Sequence, residues 1–330
     1  MRIKNKVIAS VAGIALSAVL LSGCGGKQDN AINIGFFNNI THAQALYMKA
    51  QGTLEEAFGT ETDVVWNAFN AGPAEVEALF SGQIDIGYIG PVPAITANVR
   101  SDGDITILSG ATMAGAELVT SKGSGITSVG DLDGKIVAIP SIGNTQHLCL
   151  LKLLSDHGLK TVENGGTVTV TAVENADVQN MMDQGHIDAA LVPEPWGTTL
   201  AQAGADIVLD YDEVYQEGNY PIAVVVVRND FLEEHPKQVE QFLQAHEDAT
   251  AYISEHTKEA AAVIHQEIET ATGKSLGEEL LTEAFSRIGF GTEVNEKAIY
   301  EFGEICREQG FIAKSYDKIF AEFPEDMDTK

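Results

Sequence analysis

Positive charge is what this 330-residue chain has least of: 20 Lys and Arg stand against 48 Asp and Glu, a formal net charge of -28. So acidic a surface repels phosphate backbones, which sets nucleic acid aside as a partner. It does not forbid a small anion, because surface charges beyond about 8 to 10 Å are screened at physiological salt, whereas a helix terminus acts at contact distance. Cysteine is scarce as well, with three residues in all. Apart from Cys24 there are only Cys149 and Cys306, expected as two buried free thiols rather than a disulfide framework.

Complete catalytic motifs are also missing. Gly273-Lys274-Ser275 imitates the end of a phosphate-binding loop, but Ile268 stands where its earlier glycine belongs, and the stretch lies between helices. Gly123-Ser124-Gly125 and Gly289-Phe290-Gly291 lack the third glycine of a dinucleotide fingerprint. His246-Glu247 meets Thr250 where a zinc pair needs histidine, and no serine sits in a G-x-S-x-G elbow. His235, His256 and His265 have no partner three or four residues away and are expected to be solvated. No catalysis, cofactor or metal is expected.

What is present is a globular composition, 44% apolar and 21% charged, long enough for two lobes. The amino end stands apart. Arg2, Lys4 and Lys6 precede the apolar run Val7 to Leu21, and Leu21-Ser22-Gly23-Cys24 follows, a secretory signal ending in cysteine. These four residues resemble a bacterial lipobox, which implies lipidation of Cys24 and an outward-facing protein anchored to the cell membrane. Residues 1–23 are then the signal peptide and 24–30 a flexible tether. Losing three positive charges takes the net charge from -28 to -31.

The stretch Lys135 to Gly158 organises the rest. Ile136 to Ile139 is a short run rich in branched side chains, read as a buried strand. Leu148, Leu151 and Leu154 recur at helical spacing up to Gly158, placed for a left-handed cap. Between them lie Ser141, Gly143, Asn144, Thr145 and Gln146, small and polar residues at a helix start whose first N–H groups have no intrahelical partner. That is a cradle for an anion or polar ligand; the plainer reading is a simple cap.

Similar junctions recur. Ile32 to Phe37 reads as a strand and Thr41 to Phe58 as the helix after it, with Asn39, Thr41 and His42 between. Val64 to Trp66 and Ile84 to Ile89 read as strands, Pro73 to Phe80 and Ala94 to Val99 as helices, and Gly90-Pro91 as a turn. This alternation argues for parallel sheets. Gly82-Gln83-Ile84-Asp85 echoes Gly185-His186-Ile187-Asp188 at an offset of 103 residues, and aligns Gly90-Pro91 with Pro193-Glu194. Glu117 to Thr120 is expected to cross into a second lobe, and Ile222 to Val227 to return. Phe231 to Ala321 is expected to be mostly helical, broken at Gly273, and to belong to the first lobe.

Asn39-Ile40-Thr41-His42, Ile84 to Ala94, Asp131 to Leu159 and Ile187 to Trp196 together resemble the nitrate/sulfonate/taurine group of solute-binding proteins for ABC importers. The resemblance implies an α/β, type II periplasmic-binding-protein fold, two lobes joined by two crossovers, with residues 31–118 plus 222–330 in lobe one and 119–221 in lobe two. It also implies a monomer that closes on a solute and delivers it to a membrane permease driven by an ATPase. The family pattern puts Asn39, Thr41, His42, Gly90 and Pro91 on one wall of the cleft, and Ser141, Asn144, Thr145, Gln146, Glu194 and Trp196 on the other. Structural alternatives stay open for three: Trp196 as a core anchor, His42 as a cap, Glu194 as a partner of backbone amides. No Lys or Arg falls in the cleft segments, so a neutral or zwitterionic ligand such as a pyrimidine vitamin precursor is a second reading. Desulfinases share the fold, but they use a cysteine near the first strand's end, where this chain has Asn38 and Asn39.

Overall fold

The computed structural model describes residues 31–273, 275–314, 316, 318–324 and 327. Cys24 and the stretches expected to form a leader and a tether lie outside them.

The chain opens with β1 (Ala31–Phe37), a 3-10 turn (Ile40–His42) and α1 (Ala43–Gln51). Gly52, at φ +67°, ends α1, and α2 (Thr53–Phe58) restarts the helix, so the single helix expected over 41 to 58 is interrupted by a left-handed glycine. Next come β2 (Asp63–Phe69), α3 (Gly72–Phe80), β3 (Ile86–Ile89) and α4 (Pro91–Arg100). Pro91 is the first residue of α4, where a missing N–H costs nothing, so Gly90-Pro91 is a helix start rather than a turn. β4 (Ile105–Ala114) was not anticipated.

The chain then crosses at Gly115 into β5 (Ala116–Thr120), β6 (Ile136–Ile139), α5 (Thr145–Asp156), β7 (Thr169–Ala172), α6 (Val178–Asp183), β8 (Ala189–Pro193), α7 (Trp196–Gln202), β9 (Asp206–Leu209) and α8 (Tyr211–Val214). It returns as β10 (Pro221–Arg228), followed by α9 (Asn229–Glu234), α10 (Pro236–Glu255), α11 (Thr257–Thr272), α12 (Glu278–Ser286), β11 (Ile288–Phe290) and α13 (Glu296–Glu308). One sheet runs β11-β4-β10-β3-β1-β2 and the other β7-β6-β8-β5-β9. Ala116 to Leu118, expected in lobe one, pair wholly with β8 and β9, and Pro221 already pairs with Met113 of β4. The crossings therefore lie at Gly115 and just before Pro221. α10 and α11 cover α1, while α13 packs on both α4 and α5 and ties the lobes together.

The 103-residue echo is structural. Asp85 donates its N–H to Asn33 O (2.8 Å) and accepts from Asn33 N (3.0 Å) through its carboxylate. Asp188 does the same to Ile136, at 2.8 Å in both directions. Ile136 lies 103 residues after Asn33, as Asp188 does after Asp85. Each aspartate replaces a neighbouring strand at the root of β1 or β6, satisfying ladder groups that would otherwise be orphaned.

Burial is less tidy for Glu75. It is fully buried on α3, and neither carboxylate oxygen has a hydrogen-bond partner among the described residues. It occupies the space above two bare strand positions: a Cβ on Gly35 or Gly87 would come within 2.3 or 2.4 Å of Glu75 Oε1. Burial pushes its carboxyl well above the usual range, so the native state holds the proton. The stability it contributes is complete below the unfolded-state pKa and declines as pH rises toward the folded one. Glu75→Gln, which keeps the shape without the titration, is expected to gain stability over the wild type above pH 5, by up to about 1.4 kcal/mol per pH unit. Urea unfolding at pH 4.5, 6 and 7.5 checks this; a pH-independent difference would refute it.

Candidate functional site

A cavity of about 720 Å3 lies between the lobes, where the carboxyl ends of β1, β2 and β3 face those of β6, β7 and β8. Open α/β sheets leave their crevices at these strand ends. The size suits an organic solute.

On the first wall, Asn39 caps the turn that leads into α1. Its Oδ1 accepts from Thr41 N (3.0 Å) and Thr41 Oγ1 (3.1 Å), which leaves its NH2 group as the donor. His42 is buried, stacked on Phe37 at 4.3 Å, and its Nδ1 accepts the Phe37 N–H at 3.2 Å. Burial lowers its pKa to about 3, so the ring is neutral and its hydrogen sits on Nε2, which has no partner among the described residues. Phe69 and Gly72 extend this wall.

On the second wall Asn144 caps α5, its Oδ1 accepting from His147 N (2.9 Å) and its Nδ2 donating to Gln146 Oε1 (3.0 Å). Gln146 keeps its NH2 group. The N–H groups of Thr145 and Gln146 have no partner among the described residues, and Thr145 Oγ1 is buried and likewise unpartnered. Gly90, from the opposite lobe, faces that hydroxyl so closely that a Cβ there would sit 2.6 Å from it. The lobes meet at this point. The free N–H, hydroxyl and NH2 groups gathered here are uncharged donors, while the β7–α6 corner of the same wall adds two buried acceptors, Asn175 Oδ1 and Gln179 Oε1, without partners among the described residues.

Asn39, Thr41, His42, Gly90, Asn144, Thr145, Gln146 and Trp196 line the cavity. Pro91, Ser141 and Glu194 do not. Pro91 is buried in the first turn of α4, and Ser141 is half-exposed on the rim. Glu194 is fully buried but turned to Thr198, accepting from its N–H (3.1 Å) and Oγ1 (2.6 Å), beside Arg287 at 3.8 Å. Its structural alternative is the observed one. Sequence reading missed the β7–α6 corner, Glu174, Asn175 and Gln179, and the Thr272 to Leu276 side. The strand Thr169–Ala172 is the only signal that could have found the corner. Among the described residues, Glu174 is the one charged residue that lines the cavity, and neither Lys nor Arg does.

The other expectations fare unevenly. Cys149 and Cys306 are buried free thiols, both pushed up to about 12 by burial. His265 is not merely solvated: its Nε2 accepts the Leu276 N–H at 2.7 Å and pins the loop ahead of α12. His246, at 0% exposure, hydrogen-bonds Tyr88 Oη (2.7 Å) and Gly110 O (2.8 Å).

Known proteins agree with this architecture. A taurine-binding periplasmic protein of Escherichia coli K12 is 30% identical over 247 residues, 74% of this chain and 71% of its own. The alkanesulfonate-binding protein of Xanthomonas axonopodis pv. citri, solved with MOPS bound, superposes with a TM-score of 0.72 at 19% identity, covering 86% of this chain and 95% of that one. The periplasmic nitrate-binding protein of Synechocystis PCC 6803 superposes at 0.69 and 16% identity, covering 88% of this chain and 84% of that one. The model of the NMT1-like family matches residues 25–268. With the type II periplasmic-binding-protein fold and this match across most of its length, the chain belongs to the NMT1-like family.

Proposed function

We propose that the chain is an extracytoplasmic, lipid-anchored solute-binding protein of an ABC importer, which closes on a taurine- or sulfonate-like solute and presents it to a membrane permease. The observation that carries this is the donor set at the first turn of α5: two open N–H groups, the Thr145 hydroxyl and the Gln146 NH2, opposite His42 Nε2–H. Several neutral donors converging on one point hold an oxyanion without a counter-charge. Phe37, Phe69 and Trp196 give an apolar wall for a tail, and Glu174 gives one negative charge for an ammonium group. Nitrate alone would leave most of a cavity of about 720 Å3 unfilled. Neither Cys149 nor Cys306 lines the cavity, which counts against a thiol-dependent enzyme on this fold.

The absence of Lys and Arg among the described lining residues favours a second reading, a neutral pyrimidine stacked on the aromatic wall. A thermal-shift screen of the Cys24→Ser soluble form separates the two, since a ligand raises apparent stability by mass action. Taurine and alkanesulfonates are expected to raise Tm; a shift with pyrimidines alone would move the assignment to the second reading.

Thr145→Val removes the buried hydroxyl that lines the cavity without a partner among the described residues, and keeps the shape. It is expected to weaken solute binding by about 10- to 100-fold, the worth of a charge-assisted hydrogen bond, while leaving the Tm of the empty protein unchanged or slightly higher. Calorimetric titration and thermal melts of the same samples check this, and an equal loss of both would mean a fold role. In cells, Cys24→Ser is expected to move the protein from membranes to the soluble fraction; fractionation showing persistent membrane association would remove the anchor.

A further inference from the structure

We infer that Arg287 is a positioning residue for solute capture: it sets the closed angle of the lobes by inserting a lobe-one guanidinium among lobe-two carboxylates, in a grip that holds a proton and loosens as pH rises. Only its effect on affinity rests on the importer reading; the grip itself is a property of the fold.

The location is the pivot. Arg287 follows α12 and precedes β11, whose Ile288 pairs with Ala114, the last residue before the crossing. A Cβ on Gly115 would lie 2.4 Å from Ile288 Cγ2, so the crossing is pressed against this arm. From there the guanidinium reaches Glu117 Oε1 of β5 (2.8 Å), Asp210 Oδ1 at the cap of α8 (3.3 Å) and Glu194 Oε1 ahead of α7 (3.8 Å), all in lobe two. Its own helix supplies Glu283 at 3.0 Å, and Nη1 donates to Thr198 Oγ1 at 3.0 Å.

Four carboxylates thus surround one cation, and Glu117 and Glu194 are fully buried. Neither Glu117 oxygen meets the geometry of a hydrogen bond with any of the described residues, so the 2.8 Å approach of Arg287 is Coulombic without alignment. Gly197 leaves room for this carboxyl, since a Cβ there would lie 1.5 Å from Glu117 Oε2. The groups facing Glu117 are Glu194, Asp210, Arg287 and the Tyr220 phenol, which burial keeps neutral, with Glu283 on the far side against Arg287. Burial first, then the charge of Glu194, pushes Glu117 up to about 9. Leaving several unbalanced charges out of water is costly, and one proton on Glu117 relieves it.

Opening the pivot admits water and lowers that proton affinity toward the ordinary carboxylate value. The closed form, whose pKa is raised, is therefore fully favoured below the open-state pKa and loses ground as pH climbs toward about 9. A single proton limits the change in the closed-to-open ratio to about tenfold per pH unit. The grip also reaches the cavity: Glu194 is held by Thr198 and is followed directly by Pro195 and Trp196, both lining residues.

Dyes on Val65→Cys and Val162→Cys, exposed positions on opposite lobes, report the inter-lobe distance by single-pair energy transfer, with Cys24→Ser in the background and Cys149 and Cys306 buried. Without any solute, the distance is expected to lengthen from pH 6 to 9.5. Glu117→Gln should abolish the pH response while keeping the pH 6 distance, Arg287→Gln should be open throughout, and Arg287→Lys should be intermediate. No pH response in the parent, an unchanged response in Glu117→Gln, or a parent-like distance at pH 6 in Arg287→Gln would each overturn the inference. If Arg287→Gln does not fold, Glu117→Gln decides alone. Because no solute is added, these outcomes stand even if taurine, titrated separately as a probe, does not bind.

Discussion

A helix cannot satisfy its own first N–H groups, and in this protein that constraint is resolved only in part. Asn144 takes the His147 N–H and the Leu148 N–H closes on Asn144 O, but Thr145 and Gln146 keep theirs, in a place walled off by the opposite lobe. Buried donors without acceptors are costly, so this turn favours any arrangement that brings an acceptor to it. The cap at the start of α1 differs: Asn39 spends its oxygen on Thr41 and leaves only donors pointing outward. Both helix starts therefore present donors to the cavity, while Glu174 and the unpartnered Asn175 Oδ1 and Gln179 Oε1 present acceptors at the β7–α6 corner.

Among the described residues the cavity lining carries one charge, the Glu174 carboxylate. Buried carboxyls sit elsewhere: at the root of β3, where Asp85 clasps Asn33, under α3, where Glu75 fills the gap above two glycines, and at the pivot, where Arg287 stands among four carboxylates. Such groups stabilise little and often cost stability, so their value lies in specificity of arrangement. At the pivot that arrangement joins residues of separate lobes. The buried imidazoles oppose the acids: His42, His147 and His246 are lowered to about 3, 4 and 4 by burial, and so disfavour acid conditions, while Glu75 and Glu117 disfavour alkaline ones. The fold is most stable between the two.

Much of this was legible in the chain because it is local. Runs such as Ile136 to Ile139 and Ile222 to Val227 declare buried strands by branched side chains alone, and Asn144 announces a helix start next to its partner His147. β4 escaped because Ser109-Gly110 interrupts it like a loop; the glycine is there since the Glu293 carbonyl would lie 2.3 Å from a Cβ. Glu194 was misread for a different reason. At a strand end it resembles a ligand-binding residue, and the arginine that claims it lies far along the chain, a pairing no local pattern carries. The β7–α6 corner stayed hidden because Thr169–Ala172 is too short and too polar to stand out as a strand.

The matching aspartate clasps at Asp85 and Asp188 imply that the cavity is built from two copies of one design. At the same offset of 103 residues, His42 answers to Thr145, Pro93 to Trp196 and Ala71 to Glu174, and all six line the cavity. The frame is thus duplicated while its furnishings are not: hydrogen-bond donors stand on both sides, but the indole and the carboxylate on one alone. The cavity is therefore a box with a front and a back, its two ends chemically unlike although their frames match.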